Sequence, residues 1–424
     1  NPELPPLGRR VEPRSLRTVG ATEAASRRPV DPGCLSSYLP CAMTTDLAAW
    51  RQEFPILATT TYLISNSLGA MPRGTASKLA EYANVWATRG VRAWDEGWWE
   101  MPVSVGNLLA PIIGAPQNSV TMHQNVTIAE AIVLSCFEPS GKRNKIVCED
   151  GNFPSVMYFY AEQKGLRLVT VPVERLAGAI DEETLLVPTS HVLFKTSYLQ
   201  EIRPVIEQAH KVGAHVVLDC FQSAGVVPVN VTELAVDFAV GGCLKWLCGG
   251  PGNGWLYVRP DLMDRLEPRL TGWMAHVAPF TFAPPPLERT TGPMRFLNGT
   301  PQIPSLYAAV EGLRIINEVG VANIRRHSRM LTDRLLEGFV EAGLPTITPR
   351  HGERRGGTVA VNPPDAEAIS RELLARDFLI DYRPDAGIRI SPHFYSTVDE
   401  VDTILAEIAA LAQHRPALRV TRGS

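Results

Sequence analysis

Apolar, β-branched runs alternate with helical stretches along the chain from about residue 100. The runs predicted to be strands are "NKIVCED", "LRLVTVPV", "TLLVPTSHV", "HVVLDC", "VDFAVGGC" and "GWLYVR". They are continuously apolar, which is typical of strands buried on both faces of a parallel sheet. Between them, residues 199–212 have the 3.6-residue apolar period of a helix. The pattern predicts an α/β fold with a mostly parallel sheet.

A different pattern follows the proline-rich segment 283–293. A long helix is predicted from about Ser305, and helices at 366–377 and 398–414 alternate with the short strands "TVAVNPP", "FLIDYR" and "GIRISP". These elements predict a small α+β domain. The expected organisation is an arm (1–42), a segment joining the small domain and the active site (43–100), a large domain (101–304), and a linking helix with the small domain (305–424).

Residues 1–42 are rich in proline, arginine and small residues and have no hydrophobic period, which predicts a disordered arm. The arm lacks the apolar core of a secretory signal. Its acidic residues argue against a transit peptide. Met43, which a helical pattern follows, is a candidate start.

Composition narrows the possible partners. The 424 residues are 45% hydrophobic and 20% charged, with a net charge of −3, so no nucleic-acid partner is expected. No run of about 18 apolar residues occurs, which argues against a membrane span. The 7 cysteines are scattered without metal-ligand spacing. They indicate reduced thiols in a cytoplasmic protein without a metal site.

Candidate chemistry lies at the predicted strand ends, where ligands bind in parallel sheets. Asp219 ends "HVVLDC", and Lys245 follows the next run, "VDFAVGGC". A lysine in an apolar run needs a reason, because its ammonium group loses hydration on burial. The default interpretations are an acid that caps the next turn and a lysine that extends to the surface.

A helix is predicted directly after "VTMHQ". Thr127 and Glu130 have the spacing of a capping box, which would direct free backbone N–H groups toward the preceding strand end. Such a terminus can bind phosphate. An ordinary helix cap also explains this pattern when it is taken alone.

A lysine, an acid and a phosphate-binding helix together are what a pyridoxal 5'-phosphate (PLP) site requires. The lysine forms the Schiff base, the acid holds the ring nitrogen protonated, and the helix N-terminus binds the phosphate. Burial would lower the pKa of Lys245 and favour the neutral amine. The glycines around Lys245 are expected to let the backbone pass close to the cofactor.

Several further motifs occur in a characteristic order. They are "YLISNSLGAMP", "DGNFPSVMY", "SHVLFKTSYLQEI", "LDCFQSAG", "DFAVGGCLKWLCGGPGNGWLYV", "LTGWMAH" and "RFLNGTPQI". Over roughly residues 46–415 the chain resembles kynureninase and its relatives in the class V aminotransferase group of fold-type I PLP enzymes. The resemblance implies a large domain with a mostly parallel seven-stranded sheet, a small C-terminal domain, and a homodimer with a shared active site.

The resemblance also implies roles for individual residues. Lys245 forms the Schiff base, and Asp219 pairs with the pyridine nitrogen. The other implied cofactor contacts are Gln222 near the phenolic oxygen, Phe153 on the ring, Val126 and Thr127 at the phosphate, and Trp273 and Thr300 reaching the phosphate from the neighbouring subunit.

The resemblance implies three substrate contacts. Arg389 would bind an α-carboxylate through two parallel N–H groups of its guanidinium. Asn66 and Ser67, in the motif "YLISNSLGAMP", are the other two. Each implied contact also has a plainer explanation. For Phe153 and Trp273 this explanation is core packing, and for Arg389 it is a surface ion pair; the resemblance favours the functional role in each case.

The chain departs from the kynureninase pattern on the substrate side. Leu244 stands where kynureninases have a tyrosine before the lysine, and Val156 stands where "FPxD" has an aspartate. Leu193 and Lys195 replace asparagine and arginine in the "HVNYRTG"-like segment. Leucine cannot donate or accept a proton, which argues against the hydrolytic machinery of the family.

The resemblance therefore implies an enzyme that acts on an L-amino acid through an external aldimine, with cleavage at Cα or Cβ. True kynurenine hydrolysis and transamination are alternatives, and a non-catalytic PLP-binding regulator is a further one. Trp94, Trp98 and Trp99 are candidates for lining a pocket for a bulky substrate, and a structural aromatic cluster explains them equally well.

Overall fold

A computed structural model describes residues 47–139 and 141–414. The arm predicted at 1–42 and the candidate start at Met43 lie outside the described residues. Within the described ranges, no helix has the length and apolar character needed to cross a membrane.

Twelve strands are present in the described residues. In chain order they are β1 (Thr61–Tyr62), β2 (Val120–His123), β3 (Lys145–Glu149), β4 (Arg167–Val171), β5 (Thr184–Ser190), β6 (His215–Asp219), β7 (Phe238–Gly242), β8 (Gly254–Val258), β9 (Val359–Val361), β10 (Phe378–Leu379), β11 (Asp381–Arg383) and β12 (Gly387–Ile390).

The α-helices of the described residues are α1 (Arg73–Arg89), α2 (Met101–Leu109), α3 (Val126–Leu134), α4 (Pro154–Ala161), α5 (Arg203–Val212), α6 (Pro260–Met263), α7 (Ile303–Val319), α8 (Val321–Glu341), α9 (Ala366–Ala375) and α10 (Val398–Gln413). Short helical turns occur at Leu47–Glu53, Pro55–Ala58, Gly90–Ala93, Trp94–Trp98, Ala110–Ile113, Val173–Arg175, Ala177–Ala179, Trp273–Ala275, Pro279–Thr281, Pro293–Phe296 and Gly352–Arg354.

The larger sheet has seven strands in the order β2-β8-β7-β6-β5-β3-β4. β3 to β7 pair in parallel, and β8 runs antiparallel to both of its neighbours. Alternate residues of β6 belong to separate apolar clusters, with Val216 and Leu218 in one and Val217 in the other. Apolar side chains therefore cover both faces, which explains the continuous apolar runs. The predicted α/β fold with a mostly parallel seven-stranded sheet is confirmed.

Two smaller sheets lie in the C-terminal part of the chain. β11, β12 and β9 form an antiparallel sheet, and β10 pairs in parallel with β1 from the N-terminal segment. A third apolar cluster packs Leu63, just after β1, with residues of α8, α9 and α10. The segment before residue 100 thus contributes to this region, while the predicted domain boundaries stay a prediction.

One predicted helix boundary is wrong. α5 begins at Arg203 and not at Leu199, because Leu199 forms a bridge with Val192 near the end of β5. The long helix predicted from about Ser305 is α7, which begins at Ile303 and is followed by α8. Gly320 separates them with a φ of 79°, a left-handed conformation that glycine adopts without strain.

Candidate active site

Asp219 and Lys245 lie at the same edge of the seven-stranded sheet. β6 and β7 are parallel neighbours, with Asp219 opposite Val240. Asp219 is the last residue of β6, and Lys245 lies in the loop that follows β7. The Cys243 N–H donates to the Asn253 carbonyl over 2.8 Å, which fixes the start of this loop.

Both side chains line one cavity of about 260 Å³. The other lining residues are Asn125, Val126, Thr127, Phe153, Ser155, Val156, Ser190, Val192, Phe194, Phe221, Gln222 and Leu244. The predicted site residues that the cavity brings together are Lys245, Asp219, Gln222, Phe153, Val126 and Thr127. The predicted residues outside its lining are Trp273, Thr300, Arg389, Asn66 and Ser67.

Lys245 sits in an environment that favours its neutral amine. Loss of bulk water is the main cause that lowers its pKa to about 8, and it outweighs the opposing attraction of Asp219. Nζ lies 4.2 Å from the ring centroid of Phe221 and 5.7 Å from that of Phe153. At pH 7, roughly a tenth of an amine with this pKa is unprotonated.

Asp219 is buried, with 8% of its surface exposed. Burial raises the pKa of its carboxyl group, while the Phe221 N–H and the charge of Lys245 lower it in part. The Phe221 N–H donates to Oδ1 over 2.8 Å, which orients the carboxylate. A buried carboxylate of this kind is stabilised by a cationic partner inside the cavity.

Two of the glycines before Lys245 pack closely against aromatic side chains of the protein. A Cβ at Gly242 would lie 2.6 Å from the Phe221 ring, and a Cβ at Gly241 would lie 2.5 Å from the Trp255 ring. These glycines therefore make room for aromatic rings of the protein. The expectation that they also let the backbone pass close to a cofactor stays a prediction.

The helix at the cavity wall, α3, begins at Val126. Asn125 is its N-cap, and the side chain of Asn125 accepts the Ile128 N–H over 3.0 Å. The predicted capping box is wrong, because Glu130 turns into the core and accepts a hydrogen bond from Tyr160. The helix N-terminus still opens into the cavity, with backbone N–H groups that have no intrahelical partner.

Gln222 is held at both ends of its amide. Its Nε2 donates to the Asn66 carbonyl over 3.0 Å, and its Oε1 accepts the Trp246 indole N–H over 3.0 Å. Asn66 is 1% exposed, and its own side-chain nitrogen and oxygen lack hydrogen-bond partners within residues 47–139 and 141–414. Asn66 therefore contacts the cavity residue Gln222 through its backbone. The side-chain amide of Asn66 is left with unused hydrogen-bonding capacity.

Arg389, on β12, is 3% exposed and paired within the protein. Its guanidinium donates to both carboxylate oxygens of Asp381, with Nε at 2.8 Å from Oδ1. Nη1 donates to the carbonyl of Phe194, a cavity residue, over 2.8 Å. The ion pair is buried, so the surface ion pair considered for Arg389 is wrong. The guanidinium lies behind the cavity wall at Phe194.

The family model of aminotransferase class-V matches residues 104–404, a region that contains all of these cavity residues. The chain belongs to the class V aminotransferase family. The predicted resemblance is confirmed, and the protein is a PLP-dependent enzyme related to kynureninases. An enzyme is thus favoured over a non-catalytic regulator.

Comparisons with individual proteins agree with this family. Kynureninase of Pseudomonas fluorescens is 35% identical over 377 residues, covering 84% of this chain and 90% of that protein. A cysteine desulfurase of Thermococcus onnurineus NA1 has a TM-score of 0.74 at 22% identity, over 87% of this chain and 98% of that one. A variant of the lyase C-DES with glycine covalently linked to its PLP cofactor has a TM-score of 0.76 at 21% identity, over 85% and 98%.

The cavity of this class V protein fits PLP by its donor set. Lys245 offers an amine of lowered pKa, and Asp219 offers a buried carboxylate for a protonated ring nitrogen. The N-terminus of α3 offers unpaired backbone N–H groups for a phosphate. Phe153 lines the cavity beside Lys245 and supplies an aromatic face.

Trp273 and Thr300 lie away from the cavity of their own chain. Trp273 packs against Trp99 and Phe280, with ring centroids at 5.1 and 5.9 Å. Trp98 packs on Tyr82 with the centroids 5.6 Å apart. Trp94, Trp98, Trp99 and Trp273 are not among the residues that line the cavity. Within one chain they pack against other aromatic rings.

Sequence reasoning missed several cavity residues. Ser190 lies opposite Asp219 in the β5–β6 pairing, so the strand-end rule could have identified it. Phe221 follows Asp219 closely and could have been found in the same way. Ser155, Val192 and Phe194 show no pattern in the sequence that distinguishes them from core or loop residues.

Proposed function

We propose that this class V enzyme binds an L-amino acid and cleaves a bond at its Cα or Cβ. One observation carries the proposal. A lysine with a pKa of about 8 and a buried carboxylate line one cavity at the ends of adjacent parallel strands, beneath the N-terminus of α3. An amine and an acid in this arrangement suit PLP chemistry on an amino acid.

When bound, PLP would supply an electron-withdrawing ring for the amino-acid substrate. Lys245 carries and releases a proton at Nζ, because its lowered pKa keeps both protonation states accessible near neutral pH. Asp219 would keep the ring nitrogen protonated through its charge. The first turn of α3, with the hydroxyl of Thr127, would hold the phosphate. Phe153 would offer an aromatic face to the ring.

Arg389 is proposed to hold the α-carboxylate of the substrate. Its Nε and Nη2 are used by Asp381, and Nη1 also bonds the Phe194 carbonyl. A carboxylate would therefore approach the remaining Nη1–Nη2 edge. Asp381 fixes the plane of the guanidinium for this contact, and its negative charge moderates the attraction.

The reaction that follows depends on the residues that replace the polar groups of kynureninases. Leu244 and Val156 line the cavity and offer no proton donor or acceptor. The side chain of Leu193 packs against Gly151. A Cβ added to this glycine would lie only 3.1 Å from the Leu193 side chain. The apolar wall favours elimination, transamination or decarboxylating deamination over activation of a hydrolytic water.

Hydrolysis of kynurenine is the second candidate. The similarity to kynureninase of Pseudomonas fluorescens over 84% of this chain favours it. Leu244 is the observation against it, since a leucine cannot take part in the proton transfers that a tyrosine at this position would allow.

A panel of amino acids that includes kynurenine and 3-hydroxykynurenine tests both candidates. Products are identified by mass spectrometry, and the cofactor absorbance is followed in parallel. Turnover of any amino acid without release of anthranilate supports the first proposal, and anthranilate release supports the second. If no amino acid perturbs the cofactor band, both are wrong.

The active enzyme is further proposed to be a cytoplasmic homodimer. Trp273 and Thr300, which match family positions at the phosphate, lie outside the cavity of their own chain, as expected if each serves the neighbouring subunit. The free cysteines at positions 136, 148, 220, 243 and 248 support a reducing compartment. Sedimentation of the Trp273→Ala variant, together with its PLP affinity, tests the shared site.

A further inference from the structure

A second and larger concavity lies next to the active site. Ser190 lines the PLP cavity, and the following residue, His191, lines a groove of about 790 Å³. The start of α5, the loop around Asn230, and the end of α7 form other parts of its wall. The function proposed above uses none of this groove.

His191 provides a polar group without a partner. The residue is 7% exposed, and its Nδ1 is buried with no hydrogen-bond partner in the described part of the chain. Burial and the charge of Arg325 lower its pKa to about 4, so the ring is neutral at physiological pH. A neutral imidazole keeps one N–H donor, and a buried polar side chain of this kind is typical of a binding site.

Arg203 provides a cation in the same groove. It is the exposed first residue of α5, whose N-terminus has no side-chain cap and no acidic residue in its first turn. Its guanidinium makes no ion pair or hydrogen bond with the residues that the structure describes. The positive end of the helix dipole adds to this charge, so the start of α5 attracts an anion.

The acidic residues of the groove limit the charge of that anion. Glu201 lies 3.6 Å from Arg354 and is neutralised in part. Glu233 remains as a negative charge in the lining. One free arginine opposed by one free carboxylate suits a ligand with a single negative charge better than a dianion.

We propose that this groove is a second ligand site, for a small monocarboxylate with an apolar body. Arg203 binds the carboxylate, and His191 donates a hydrogen bond to it. Apolar lining residues with accessible surface, including Pro228, Leu234 and Val321, cover the body of the ligand. The site is separate from the substrate position at PLP.

The groove is connected to the catalytic cavity by a direct hydrogen bond. The backbone N–H of His191 donates to the backbone carbonyl of Asp219 over 2.8 Å. A ligand that displaces the backbone at His191 would therefore also displace Asp219, the residue assigned to the ring nitrogen. Occupancy of the groove is expected to alter the pH dependence of the cofactor absorbance, and this readout does not depend on turnover.

Titration calorimetry of the holoenzyme with benzoate tests the site. Benzoate has the proposed chemistry and lacks the amine that reaction with PLP requires. Arg203→Gln should weaken its binding at least tenfold. Arg371→Gln, which removes an exposed arginine of α9, should leave binding unchanged. Benzoate held instead at the substrate position would bind the Arg203 variant as tightly as the wild type.

The outcomes are distinct. Unaltered binding to the Arg203 variant, or no saturable binding to the wild-type holoenzyme, would overturn the proposal. Inorganic phosphate is expected to bind more weakly than benzoate because of Glu233. Equal or tighter phosphate binding would overturn the assignment to monocarboxylates.

Discussion

Replacing Gly69 with alanine should disturb the loop that carries Lys245. The Gly69 N–H donates to the Leu244 carbonyl over 2.9 Å, which brings the two backbone segments together. An added Cβ would lie 3.0 Å from both Cα and Sγ of Cys248, and it would overlap the carbonyl oxygen of Lys245. These neighbours are mainly backbone atoms, so the strain cannot be relieved by a simple change of rotamer.

The expected cost follows from this overlap. Overpacking of a closely packed site costs about 1–3 kcal/mol, and the displacement falls on the residue that binds the cofactor. Gly69→Ala should therefore lower the stability to denaturant and also weaken retention of PLP. Gly178→Ala is the matched control, because a Cβ at Gly178 meets no heavy atom within 4 Å.

Urea unfolding of the cofactor-free proteins separates the stability effect from PLP binding, which is measured by absorbance titration. A Gly69 variant that matches the Gly178 variant in both assays would refute the reasoning. A stable Gly69→Ala variant with unimpaired PLP binding would show that the loop can accommodate the added methyl group without strain.

Two further predictions concern buried polar groups away from the cofactor. Tyr160→Phe removes the hydroxyl that donates to Glu130 and should lower the free energy of unfolding in urea by about 1–3 kcal/mol. Tyr158→Phe, on the exposed side of α4, should change it little. Equal effects of the two variants would contradict this prediction. Burial opposes ionisation of Asp237, yet contacts that include His215 hold its pKa below the usual value. Its stabilising contribution is therefore present above about pH 4 and is lost as the pH falls through the folded-state pKa, so Asp237→Asn should destabilise the protein at pH 7 and progressively less at lower pH. A pH-independent difference in unfolding free energy would contradict this.

The juxtaposition of Asp219 and Lys245 could be predicted because it depends on local patterns. Two continuous apolar runs in succession indicate neighbouring parallel strands, and the ends of such strands meet at one sheet edge. In the structure, Asp219 lies opposite Val240, three residues before the loop that begins at Cys243. The same rule could have identified Ser190.

Features that depend on tertiary packing could not be read from the sequence. The pattern at Thr127 and Glu130 fits a capping box, but Tyr160 draws Glu130 into the core and Asn125 takes the cap. Likewise, no local signal reveals that Arg389 is held by Asp381, because these residues face each other across two paired strands and meet only after the sheet forms.

The central claim is that Lys245 carries the cofactor. Borohydride reduction of the purified holoenzyme, followed by proteolysis and mass spectrometry, locates the PLP attachment directly. The reduced PLP adduct is expected on Lys245 alone, and Lys245→Ala should yield none while it remains folded. An adduct on another lysine of the wild-type protein, or a reducible linkage retained in the Lys245 variant, would contradict the account.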